Sequence, residues 1–177
     1  MFYLKLILVA AVAITLEGFV PKYWDAFKYV DLPLIVTIYF ALMRDPIVGM
    51  VTGYAVGLGA DLTPGAGPIV GVGGFSKTLI GFLVATVAVR FSLEGPLLRV
   101  LVLAVSSVVS SGLYIGLNNL MDQGIGDDNT PERFAMKVAL ETAANLIFGV
   151  IIFWLFDKLF PDNAPGGAMR VRRRYYD

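Results

Sequence analysis

Residues 46–82 read PIVGMVTGYAVGLGADLTPGAGPIVGVGGFSKTLIGF. Gly49, Gly53 and Gly57 recur at spacing four in an otherwise apolar stretch. One face of the helix they predict is bare and lets a second backbone approach closely. The stretch ends at Asp61, and residues 61–74 then hold five glycines and two prolines. That is turn or re-entrant chemistry and not helix. A second apolar run follows from about Phe75 to Phe91, with Lys77 inside it. Two apolar helices, a glycine-lined face and an ionisable group buried in the second together describe a membrane bundle.

Composition extends that reading to the whole chain. Of 177 residues, 57% are hydrophobic and 16% are charged. A soluble domain carries about 25% charged residues. A hydrocarbon layer takes about 20 apolar residues per helix, so five or six spans would use most of this chain and leave no soluble catalytic domain of useful size. Cysteine and histidine are absent. Their absence excludes disulfide frameworks, thiolate nucleophiles, Cys or His metal sites and the commonest general base. No metal and no cofactor are expected. The formal net charge is zero, so bulk charge gives no reason to expect nucleic-acid binding.

Working outward, Phe2–Val20 is an apolar run that reads as helix one. Ala11-Val12-Ala13 imitates a signal-peptidase site, but everything downstream is also membrane-like and needs no secretion signal. Pro21–Asp31 mixes charges with Tyr23, Trp24, Phe27 and Tyr29, the composition of a membrane surface. Leu32–Met43 and Ile47–Ala60 flank Arg44-Asp45-Pro46, and Pro46 suits the first turn of a new helix. They read as two short spans, with one kinked span over 32–60 as the alternative. Helix five covers about Leu97–Met121 and helix six about Arg133–Phe160. The expected architecture is an all-α integral membrane protein of six (or five) transmembrane helices over residues 1–160. Residues 161–177 form a flexible, basic cytoplasmic tail. With six spans, nine Lys and Arg residues collect on the side of the termini and four on the other, with Lys77 inside a span. That ratio places both termini in the cytoplasm.

Chemistry is sparse. Gly71–Thr78 (GVGGFSKT) approaches a phosphate-binding loop, but Ser76 stands where the second glycine must precede the lysine. The segment reads better as a turn entering helix four. Lys77 needs a partner in the bundle interior, or it snorkels to water. Asp61 and Glu141 are the partners available by type, and Asn145 adds a polar group within a span. Asp61, Lys77, Glu141 and Asn145 are therefore the candidates for a pocket or partner site. Gly49, Gly53 and Gly57, with Gly112 and Gly116 on helix five, are read as helix-packing positions, within the bundle first and against a foreign helix as the alternative. Arg170, Arg172, Arg173 and Arg174 form a basic patch for anionic lipid or a cytoplasmic partner. A Ser–Lys dyad is poor because Ser76 points about 100° away from Lys77 around the helix. No enzyme is expected.

The order of these features resembles the rod shape-determining MreD family. The matching residues are Asp31-Leu32, Arg44-Asp45-Pro46, Gly53-Tyr54, Gly57-Leu58-Gly59-Ala60-Asp61-Leu62 and Gly74-Phe75-Ser76-Lys77-Thr78-Leu79-Ile80-Gly81-Phe82. Hydropathy matches over nearly the whole chain and motifs match over residues 31 to about 90. The resemblance implies a non-enzymatic component of the cell-elongation machinery in the bacterial inner membrane. Its implied partners are MreC, a single-span protein with an extracytoplasmic coiled coil, MreB, and the peptidoglycan glycosyltransferase and transpeptidase pair, with self-association left open. The family is also similar in fold to the substrate-binding subunits of energy-coupling-factor transporters, and a vitamin-binding subunit of that kind is the alternative function. The Ala-x-x-x-Ala pattern common on helix one of those subunits is absent here: Ala10, Ala11 and Ala13 are followed four residues later by Ile14, Thr15 and Glu17.

Overall fold

The helix at Leu32–Ala41 is ten residues long, and every one of them is buried. In a computed structural model of the chain, which describes residues 2–63, 69–91, 93, 95–121 and 131–161, this short helix is α2. Around it stand α1 (Phe2–Phe19), α3 (Pro46–Asp61), α4 (Val72–Arg90), α5 (Pro96–Leu120) and α6 (Pro131–Leu159). α2 touches each of the other five. Two 3-10 turns, Val20–Lys22 and Asp25–Tyr29, occupy the aromatic segment between α1 and α2. No strand occurs among the described residues. Among the described residues, four segments are long and apolar enough to cross a membrane: Phe2–Lys22, Val72–Arg90, Pro96–Leu120 and Glu132–Leu159. Their exposed side chains, such as Leu4, Leu8, Val105, Ile151 and Leu155, make an apolar exterior that is costly in water and at home in lipid. The chain is a helical membrane protein.

α2 and α3 are separate helices that pack on one another across residues 42–45, not one kinked span. Local chemistry explains the break. Asp45 accepts hydrogen bonds from Ile47 N and Val48 N at 3.0 and 3.1 Å, capping the start of α3, and Pro46 costs nothing at that position. Arg44 adopts the left-handed conformation, φ 67°, which turns the chain as a glycine would after a helix end.

The α3–α4 contact is the closest in the bundle and is built from backbone. A Cβ on Gly49 would lie 2.7 Å from Gly81 O, and one on Gly57 would lie 2.8 Å from Gly73 O. At Gly53 it would collide with the Lys77 carbonyl. The expected bare face thus serves packing within the bundle. Gly112 and Gly116 do not: a Cβ at either meets nothing within 4 Å. Both are exposed on α5, which corrects their assignment as intramolecular packing positions. The small-residue spacing is the same on α3 and α5, and only the neighbour decides its use.

α4 also begins earlier than the sequence suggests, at Val72 and not Phe75. Its N-terminus is capped from another helix. Asp61, the last residue of α3, accepts from Gly71 N at 2.8 Å and Gly74 N at 3.1 Å through Oδ2. A carboxylate there satisfies amides that a helix start leaves unpaired.

At the end of the bundle that holds the first residues of α1 and the last of α6, aromatic rings fill the interior. Tyr39 and Phe156 have centroids 5.1 Å apart, and Phe40 and Phe160 5.3 Å. Asp157 joins three helices here, accepting from Tyr39 Oη at 3.1 Å and from Arg99 Nη1 at 2.9 Å. This end is closed.

Candidate functional site

The opposite end is open, and the length of α2 is the reason. Ten residues rise about 15 Å, half of a hydrocarbon layer of about 30 Å. The space left beyond its N-terminus is a cavity of about 760 Å³, bordered by the ends of α1, α3 and α4, the middle of α5, the first half of α6 and the turns before α2. That volume lies within the range of small-molecule sites.

Lys77 stands at the inner wall. Its Nζ is 3.0 Å from Asp31 Oδ2, and the residue is 8% exposed. Asp31 is also the N-cap of α2, accepting from Leu34 N at 2.9 Å through Oδ1. Its own backbone N–H donates to Asn145 Oδ1 at 2.7 Å, and Asn145 Nδ2 donates to Ser107 Oγ at 2.9 Å. One polar chain therefore links α4, the start of α2, α6 and α5. Asn145 and Ser107 are each 1% exposed. Buried polar groups are tolerated when each finds a partner, and a satisfied network of this kind fixes helix positions.

Two further carboxylates reach the same cavity. Glu17 accepts from Leu32 N at 3.2 Å, so it caps the first turn of α2 from α1. Asp61 holds the amides of α4 described above. Both act electrostatically on Lys77, after Asp31. Glu141 borders the cavity from α6, where its Oε2 accepts from Ser111 Oγ at 2.7 Å and its Oε1 lies 3.7 Å from Lys137 Nζ.

All four sequence candidates border this cavity. The pairing expected for Lys77 is corrected: its ion pair is with Asp31, and neither Asp61 nor Glu141 lies in that place. Snorkelling is excluded by the same geometry. The pairing was missed because Asp31 belongs to a segment read as interfacial, whereas the N-terminus of a half-length helix lies inside the bundle. Glu17 was missed as a site residue although its signal was visible: it is an acid inside the apolar run Phe2–Val20, the criterion that singled out Lys77. The resemblance of residues 71–78 to a phosphate loop has no structural counterpart, since Val72–Thr78 is the first part of α4 and the Lys77 side chain is committed to Asp31.

No protein-family model, curated protein or solved structure matches the chain.

Among the described residues no group of His, Cys, Asp or Glu is placed to hold a metal ion. The arginines at 170 and 172–174 lie outside the described residues, as do residues 122–130. What the cavity offers chemically is hydrogen bonding and charge: acidic side chains, serine hydroxyls, the Tyr114 hydroxyl, the Lys77 ammonium paired with Asp31, and Lys22, Lys28 and Lys137.

Proposed function

We propose that this chain is a non-enzymatic membrane scaffold of the bacterial cell-elongation machinery. In this reading it is a six-span protein of the inner membrane with both termini in the cytoplasm. It binds MreC and through it, or directly, MreB and the peptidoglycan glycosyltransferase and transpeptidase pair. The observation that supports the reading is convergence. The segments that carry the resemblance to the MreD family are scattered over fifty residues, yet Asp31, Gly53, Gly57, Asp61 and Lys77 meet at one junction of α2, α3 and α4. Convergence of that kind is what a shared structural role for those motifs requires. The C-terminal arginines add a surface for anionic lipid at about 1 kcal/mol per charge.

The test is gentle detergent extraction of the tagged full-length protein from its native membrane, with mass spectrometry of what remains bound. A single-span coiled-coil protein together with wall-synthesis enzymes is the expected result. Recovery of two ATPases and a coupling membrane subunit would overturn it and favour the vitamin-binding transporter subunit. The cavity is the observation on that side, and the missing Ala-x-x-x-Ala pattern on α1 speaks against it.

A further inference from the structure

The charges bordering the cavity are sorted by depth. Half-buried Glu17, Asp31 and Asp61 border the cavity together with Lys77, three acidic side chains beside one ammonium that is already paired with Asp31. Lys22, Lys28 and Lys137, which also border the cavity, are exposed. The interior therefore favours a cation while the mouth favours an anion. Lys137 is partly engaged by Glu141 at 3.7 Å, and Lys22 Nζ sits 5.4 Å from the centre of the Phe19 ring. Ser76 supplies an independent sign of a missing occupant. It borders the cavity, is 1% exposed, and its hydroxyl has no hydrogen-bond partner. A buried hydroxyl without a partner calls for one, and a group bound in the cavity would supply it.

We infer that the cavity binds a zwitterion, with a primary ammonium held among Glu17, Asp61 and Ser76 and an anionic group toward Lys22 and Lys28. A primary ammonium offers three N–H donors for carboxylate and hydroxyl acceptors, whereas a quaternary ammonium offers none. Charge-assisted hydrogen bonds of this type are the strong ones, so the site discriminates between the two amines and not merely between charges. The shared chemistry is that of ethanolamine phosphate, which exists both as a free solute and as a lipid headgroup. The inference stands on the cavity alone and does not depend on the scaffold reading, so a failure of either leaves the other intact.

The test uses the purified full-length protein. In a phospholipid-free detergent, O-phosphoethanolamine is titrated against phosphocholine by calorimetry. In parallel, the protein is placed in nanodiscs of phosphatidylethanolamine or phosphatidylcholine and its thermal stability is compared. Saturable binding of phosphoethanolamine, at least about tenfold tighter than phosphocholine, is expected, and E17Q should lose about tenfold of it. S76A, a milder change that leaves the ion pair alone, should lose a few-fold and serves if E17Q does not fold. Stabilisation by phosphatidylethanolamine nanodiscs without soluble binding would identify the lipid headgroup as the source, and the reverse would identify a free solute. Equal response to the amine and its trimethyl analogue, no response to either, or full affinity in both variants would overturn the inference.

Discussion

Lys77 and Asp31 form an ion pair at 3.0 Å in which the acid is simultaneously the N-cap of α2. The two roles make Asp31 the hinge between charge and helix geometry. Removing the lysine leaves a carboxylate in a half-buried site, and removing the acid strands an ammonium in a buried one. Breaking a buried pair from one side costs about 3–5 kcal/mol. We therefore expect Lys77→Met and Asp31→Asn each to lower thermal stability in detergent severely. The double variant should be less damaged than the sum, with a coupling of about 1–3 kcal/mol. Strict additivity would mean that the pair does not act as one.

The glycines of α3 and α5 are expected to respond oppositely. Gly53→Ala places a methyl against the Lys77 carbonyl, and the backbone of α4 must move; a loss of about 2 kcal/mol or more is expected. Gly112→Ala meets open space and should be neutral or stabilising by up to about 1 kcal/mol from helix propensity. Thermal melts of the two variants check the pair. If Gly112→Ala melts normally but lowers the yield of co-purified partner, the exposed face of α5 contacts that partner.

Capping of α4 from α3 predicts a graded response at Asp61. Asp61→Asn keeps an acceptor for Gly71 N and Gly74 N, while Asp61→Ala leaves both amides unpaired. Substituting a cap by Ala costs about 1–2 kcal/mol. Hydrogen exchange should accelerate at residues 71–74 in the Ala variant and change much less in the Asn variant. Equal exchange in the two would remove Asp61 from the cap.

At the closed end, Tyr39→Phe deletes one hydrogen bond to Asp157 and keeps the ring in its aromatic cluster. The expected loss is about 1 kcal/mol. Arg99→Met deletes the other partner of Asp157 and should cost more, because it leaves the carboxylate without its counter-charge. A larger loss from Tyr39→Phe than from Arg99→Met would reverse this assignment.

Helix positions were legible in the sequence because hydropathy and the Pro and Gly breaks report them directly: Pro46 opens α3, and the break at residues 42–45 separates it from α2. The packing face of α3 was legible from its glycine spacing. The partner of Lys77 was not, since pairing depends on how deep the end of α2 lies, and depth is set by the length of one helix relative to its five neighbours. For the same reason Gly112 and Gly116 were misread, as spacing describes a helix face but not what faces it. The cavity itself leaves no local mark in the chain; it is the volume that α2 fails to fill.

The burial of all ten residues of α2 has a consequence for how the protein is made. A helix of about 15 Å cannot cross the bilayer alone, and it has no surface to offer to lipid once the protein is complete. Its place in the membrane therefore depends on the helices that pack around it. The long segments α1, α4, α5 and α6 can be recognised by an insertion machinery one at a time, whereas α2 acquires its place from the others. The shortest helix is thus the one whose seat in the bilayer exists only when the bundle around it is assembled.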